Sequence, residues 1–142
     1  MNLSIVRMEH EHFDKLISQT SIGVAAIALE QAYLSPGSVA LCMRVDEEPV
    51  FAGGIVNLQW HRGEAWILPT PFFRHHVKTC YKNMRDALPK MAARGGFRRI
   101  QATCSIKVSP SLFQHLGFYH EGTLNGFGPN GETCFMYARL FI

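Results

Sequence analysis

Apolar and polar residues alternate at a strand period in several short runs of this chain and at a helical period in longer ones. Residues 3–7, Leu-Ser-Ile-Val-Arg, read as a first strand. Residues 9–19 place Phe13, Leu16 and Ile17 at helical spacing, and residues 22–34 predict a second helix stopped by Ser35-Pro36-Gly37. A meander follows, with strands over 39–45, 50–60 and 64–68. The turns between them are Asp46-Glu47-Glu48-Pro49 and His61-Arg62-Gly63. Gly53-Gly54 inside the middle strand predicts a bulge or a close approach by another backbone.

Helical spacing returns over 74–93, with Val77, Cys80, Tyr81, Met84 and Leu88 on one face. Pro89 is expected to kink or loosen its last turn, and Gly95-Gly96 to end it. Residues 97–105 form a strand and 109–116 a short helix, with Ser109 as N-cap and Pro110 in the first helical position. Two closing strands, 119–126 and 132–141, flank a turn at Pro129-Asn130-Gly131. The order β-α-α-β-β-β-α-β-α-β-β describes an α/β domain with a mixed sheet. The strand ending near Leu68 and the strand beginning at Phe97 should run parallel across the helical crossover and then diverge.

Composition narrows this picture. A chain of 142 residues suits one domain over 1–142, and 47% hydrophobic with 18% charged residues describes an ordinary globular protein. The net charge of +3 is too small to imply nucleic-acid binding, for which a concentrated basic face is expected. No apolar run is long enough for a membrane span, and residues 1–7 have no signal-peptide character, so a cytoplasmic protein is expected. Cys42, Cys80, Cys104 and Cys134 lie far apart and are expected to be buried thiols. The seven histidines lack acidic or cysteine partners at ligand spacing, so no metal site is expected.

The chemistry concentrates in one stretch, Pro71-Phe72-Phe73-Arg74-His75-His76-Val77-Lys78-Thr79. It puts Arg74, His75, His76 and Lys78 into the first turn of a long helix, where the dipole disfavours cations unless an anion compensates. Free backbone N–H groups there also suit an anion. Two readings fit: a turn that holds a phosphate-bearing ligand, or a solvated basic turn. Glu64 opens the strand before it and shares a face with Trp66 and Leu68. Its carboxylate is a candidate general base or simply a polar strand end. Trp60 and Trp66 read as core or rim aromatics.

The order of elements resembles the Gcn5-related N-acetyltransferase (GNAT) superfamily over about residues 5–140. Three motifs carry the resemblance. Asp46 to Gly54 looks like the family's second hairpin, Pro71-Phe72-Phe73-Arg74 like the approach to its pyrophosphate loop, and Leu112-Phe113-Gln114-His115-Leu116-Gly117-Phe118 like its short helix ending in Gly-Phe. The resemblance implies a GNAT-like mixed, twisted sheet with helices on both faces, and transfer of an acetyl group from acetyl-CoA to an amine on a small molecule or protein. It assigns the backbone around Ile67 and Leu68 to the pantetheine arm. Arg74, His75, His76, Val77, Lys78 and Thr79 would hold the CoA phosphates.

Departures from the family pattern weaken that expectation. The family loop reads Gln/Arg-x-x-Gly-x-Gly/Ala, but Val77 and Thr79 occupy the small positions and crowd the amides. Phe113 stands where many members carry a Tyr that protonates the departing thiolate, and Ile106 where an Asn is frequent. Residues 63–118 resemble GNAT-related proteins of tailed-phage and prophage genomes, a group that includes internal virion protein A of T7-like phages. That narrower resemblance implies a non-catalytic assembly or interaction protein with a protein partner, in host cytoplasm or virion. An acyltransferase with weak or lost cofactor binding and a non-catalytic descendant are therefore both expected.

Overall fold

The computed structural model describes residues 3–7, 36–106 and 110–142. The two helices read at 9–19 and 22–34 lie outside the described residues. The first strand, β1 (Leu3–Arg7), and the second, β2 (Val39–Val45), match the sequence pattern. They are followed by β3 (Glu48–Gln59), β4 (Arg62–Pro69), a single 3-10 turn (Phe73–His75), α1 (Val77–Gly95), β5 (Arg99–Ser105), α2 (Ser111–His115), β6 (Tyr119–Leu124) and β7 (Cys134–Leu140). The strands form a seven-stranded mixed sheet in the order β1-β2-β3-β4-β5-β7-β6. The pairs β1/β2, β2/β3, β5/β7 and β6/β7 are antiparallel, and β4/β5 is parallel. The parallel ladder has three rungs, Arg62 with Arg99, Gly63 with Ile100 and Glu64 with Gln101, and does not continue along either strand. This is the expected parallel pair that diverges.

The described residues fall into two compact units, Met1–Asn57 with Ala65–Cys80, and Leu58–Glu64 with Tyr81–Ile142. In the first, Cys42, Met43, Val50, Ala52, Ile55 and Cys80 are buried. The predicted close approach occurs at Gly54: a Cβ there would lie 2.3 Å from the Val39 carbonyl oxygen and 3.0 Å from the Trp66 ring. The β2/β3 register runs straight through Gly53 and Gly54, so the glycines serve packing and not a bulge. In the second unit the core comprises Ile100, Ala102, Phe118, Cys134, Tyr137 and Ala138, with Leu88 and Ala92 from α1.

Several boundaries differ from the pattern, each for a local reason. Only Asp46 and Glu47 turn the first hairpin, both left-handed at φ 50° and 69°, which is the twist that suits a two-residue loop. Glu48 and Pro49 therefore belong to β3. Pro49 is accommodated because the register shifts beside it: Arg44 pairs with Pro49 but Met43 with Phe51, leaving Val50 as a bulge residue. The second hairpin turns at Trp60 and His61, so Arg62 and Gly63 lie in β4. Gln59, Trp60 and His61 are all left-handed (φ 72°, 53° and 60°), a conformation costing roughly 1–2 kcal/mol per residue.

Helix α1 continues through Pro89 to Gly95, so the proline stands well inside it and not in its last turn. Gly96, at φ 68°, closes it with bonds from the Gly96 and Phe97 N–H groups to the Ala93 and Ala92 carbonyls (3.3 and 2.9 Å), a Schellman cap. That cap and the bond from the Arg98 N–H to the His61 carbonyl (2.7 Å) hold Phe97 and Arg98 out of β5. Helix α2 begins at Ser111, because the Pro110 carbonyl takes the first helical bond, from the Gln114 N–H at 3.1 Å. Pro110 is thus the cap and not the first helical residue, and residue 109 lies outside the described residues. The last hairpin has a wide connection over residues 125–133 in place of a tight turn. Within it Gly128 and Gly131 donate to the Glu132 and Gly128 carbonyls, and the Glu132 carboxylate takes the Asn130 N–H at 2.8 Å.

Candidate functional site

In the first unit, the segment between β4 and α1 is built around Thr70, which is only 5% exposed. Its hydroxyl donates, as a shared bond, to the carbonyls of Pro49 and Val50, both at 2.9 Å. The same oxygen accepts the Phe72 N–H at 3.3 Å, and the Thr70 N–H donates to Val50 at 2.9 Å. Bonds from Phe73 to Thr70, His75 to Phe72 and His76 to Phe73 wind the 3-10 turn. The Phe73 ring meets Phe51 edge-on at 5.9 Å, fixing the turn against β3. Pro69 and Pro71 flank Thr70 in the sequence.

This turn corrects the start of the long helix. The Cys80 N–H donates to the His76 carbonyl at 2.8 Å, which makes His76 the residue before α1. Arg74, His75 and His76 therefore precede the helix, and its first turn holds Val77, Lys78 and Thr79 with no acidic residue. Only Lys78 opposes the helix dipole directly. Arg74 and His75 are exposed, and the Arg74 Nε donates to His75 Nε2 at 3.4 Å. The first amides of an α-helix have no intrahelical acceptor, so the turn suits an anion in charge and direction. The side chains of Val77 and Thr79, both half-buried, add bulk beside those amides. The fit to a pyrophosphate is thus right in charge and tight in space. Ile67 lies on β4 beyond its last rung with β5 and is exposed. Leu68 follows it on the same strand. Cys80 is fully buried, and burial pushes its thiol up to about 11, so it stays protonated and unreactive.

The second unit places Glu64 on the final rung of the parallel ladder, directly beside Gln101. Burial raises the Glu64 carboxyl above its ordinary 4.5, and a hydrogen bond with Gln101 partly offsets that rise. Gln101 is itself oriented, since its Oε1 accepts from the Arg99 Nε at 3.2 Å. Its amide N–H groups are then left for the carboxylate. Arg99 in turn forms a two-pronged pair with Glu121, at 2.7 and 2.5 Å, and Tyr119 donates to Glu121 at 3.3 Å. Sequence spacing could not show this chain of groups, because it depends on the register of four strands, β4, β5, β7 and β6.

Phe113 lies in α2 and stacks flat on Tyr137 of β7, with ring centroids 4.2 Å apart at 4°. Phe118 meets Phe113 edge-on at 6.0 Å. Tyr137 pairs with Ala102, so it serves the face of β5 opposite to Arg99 and Gln101. It is 2% exposed, and burial raises its phenol above the ordinary value. Trp60 is a rim aromatic, and Trp66 covers Gly54. Cys42, Cys80 and Cys134 are buried free thiols, whereas Cys104 is half-buried. No described helix is long and apolar enough to cross a membrane.

No family model and no curated protein matches this chain. Solved structures do. An acetyltransferase of the GNAT family from Streptococcus pneumoniae shares 18% identity with a TM-score of 0.75, over 99% of this chain and 100% of that one. An N-acetyltransferase from Staphylococcus aureus Mu50 shares 15% at 0.78, over 99% of each chain. The aminoglycoside 6'-N-acetyltransferase from Enterococcus faecium shares 14% at 0.76, over 98% and 97%. At these identities the likeness is one of architecture: the chain has the fold of the GNAT acetyltransferases.

Proposed function

We propose that this protein is an acyl-CoA-dependent N-acyltransferase that moves an acetyl group to an amine. The observation that carries this reading is Glu64, a half-buried carboxylate with a raised pKa, oriented by Gln101 where the parallel ladder ends. A raised carboxyl pKa makes a better base toward an ammonium group. The likeness to enzymes that acetylate amines supports it further. Bound acetyl-CoA would supply the activated thioester. Glu64 takes the proton from the incoming amine, directly or through water. Backbone groups of β4 near Ile67 and Leu68 orient the acyl group. The turn from Arg74 through His75, His76, Val77 and Lys78 to Thr79 holds the phosphates. Phe113 gives no proton, but a thiol of pKa ~8.5 leaves as thiolate near neutral pH.

Thermal melts with millimolar acetyl-CoA test this reading. The melting point should rise, because a ligand stabilises the state it binds. Arg74→Gln with Lys78→Gln should erase the rise, and Glu64→Gln should keep it while abolishing turnover. Turnover of the wild type should increase with pH as Glu64 ionises. A melting point that does not move defeats the enzyme reading.

A second reading rests on Phe113. Its ring is stacked into the aromatic cluster at the position the family uses for proton donation, and Val77 and Thr79 replace the small loop residues. These favour a non-catalytic assembly or interaction protein of the phage type, for which acetyl-CoA leaves the melt unchanged.

A further inference from the structure

A groove of about 600 Å³ lies in the second unit at the C-terminal end of α1. Pro89, Ala92 and Ala93 of α1 form one wall, and Phe97, Leu140 and Phe141 the other. His61 and Arg98 are its polar members. Backbone bonds make the rim a fixed structure. The Arg98 N–H donates to His61 at 2.7 Å, the Phe141 N–H donates to Arg98 at 2.8 Å, and the His61 ring Nδ1 lies 3.0 Å from the Gly96 carbonyl oxygen. Beside His61 stands Trp60, 82% exposed on a left-handed backbone with the Arg62 guanidinium 5.4 Å from its ring. Leu140, at the groove, is 48% exposed.

We infer that this groove and the Trp60 tip form a docking surface for a protein segment carrying both acidic and large apolar side chains. The charges decide the partner's sign. Lys82 and Arg85 lie on the α1 face that carries Pro89 and Ala93, and Arg98 lines the groove, all three exposed. The one carboxylate on that face, Asp86, lies 3.8 Å from Arg85. The apolar walls and the exposed edge of the indole decide the rest, since aliphatic and aromatic side chains fill such a concavity. Nucleic acid fits less well. Single strands need a series of open aromatic faces, and Trp60 and Phe141 each already carry a guanidinium, Arg62 and Arg139. A second copy would set this cationic face against itself.

The test is selection of short peptides from a random displayed library against the whole protein. Recovered peptides are then titrated while Trp60 emission is followed, with Trp60→Phe as the signal control. Recovered sequences should combine Asp or Glu with aromatic or aliphatic residues. Arg98→Glu should weaken their binding by roughly tenfold or more without moving the melting point, because only the Arg98 backbone is used in the fold. Lys82→Glu, on the exposed helix face, is the second variant and should act in the same direction. Recovery of no peptide class, or of neutral or basic peptides, overturns the inference. So does indifference to both reversals, tighter binding of oligouridylate, or a dimer that buries Trp60. None of these outcomes depends on acetyl-CoA.

Discussion

The approach to α1 and the start of α2, where the GNAT resemblance sets its cofactor chemistry, are built by different means. Before α1 the shape is made by backbone: Thr70 gathers the Pro49 and Val50 carbonyls, and successive N–H bonds wind the turn to His76. Side chains at Arg74, Val77 and Thr79 can change while that winding persists. At α2 the chemistry that the resemblance implies would depend on one side chain, and the residue there, Phe113, is stacked on Tyr137. Geometry carried by main chain survives substitution, whereas chemistry carried by a single hydroxyl does not. The intact turn therefore joins Glu64 in supporting the enzyme reading, and the stacked Phe113 ring joins Val77 and Thr79 in supporting its rival.

Removing the base of the aromatic stack has the largest expected effect. Tyr137→Ala leaves a cavity beneath Phe113 and should cost about 3–5 kcal/mol, measured by urea unfolding. A loss below about 1 kcal/mol would mean that the cluster is loosely packed and that Phe113 is free to move.

Thr70→Val comes next. It keeps the volume but deprives the Pro49 carbonyl of its donor and the Phe72 N–H of its acceptor, at a cost of about 1–3 kcal/mol. If the backbone-built turn serves binding, the same variant should also reduce the melting-point rise with acetyl-CoA. Stability lost with the ligand effect intact would show that the turn is only structural.

A smaller effect is expected from Val77→Gly with Thr79→Gly. Each glycine costs up to about 1 kcal/mol in a helix, yet each removes bulk beside the amides. The unliganded protein should melt lower and gain affinity for acetyl-CoA by titration calorimetry. No gain would clear Val77 and Thr79 of weakening the site.

The same contrast explains what the sequence revealed. Alternation placed β1 and β2, and the meander, crossover and closing hairpin were legible from short apolar runs bounded by turn residues. Register was not legible, so Gln101, Arg99 and Glu121 could not be gathered around Glu64 from spacing. The start of α1 was misplaced because periodicity sees Arg74 to Lys78 as one helical run, while the Thr70 hydroxyl and Phe73 ring bind the first of these into a separate turn. Net charge also averages over segregation: between Ala65 and His120 the sequence has Asp86 as its sole acidic residue.

Phe113→Tyr should disturb stability least and discriminate best between the two functional readings. The ring stays stacked on Tyr137, and a hydroxyl at its edge changes stability by less than about 1 kcal/mol where it reaches water or a partner. The GNAT resemblance places a proton donor at this position, and general acids contribute typically ~10²–10⁴-fold. Since thiolate departs tolerably without help, only the lower part of that range is expected. Steady-state kinetics with acetyl-CoA and a panel of amines should therefore show kcat rising by roughly tenfold to a hundredfold. KM for acetyl-CoA should stay unchanged, because the hydroxyl acts on the leaving group and not on the phosphates. A variant that binds acetyl-CoA yet turns over no faster would place the deficit elsewhere than Phe113. A variant that neither binds nor turns over would leave the fold serving partners instead of acyl transfer.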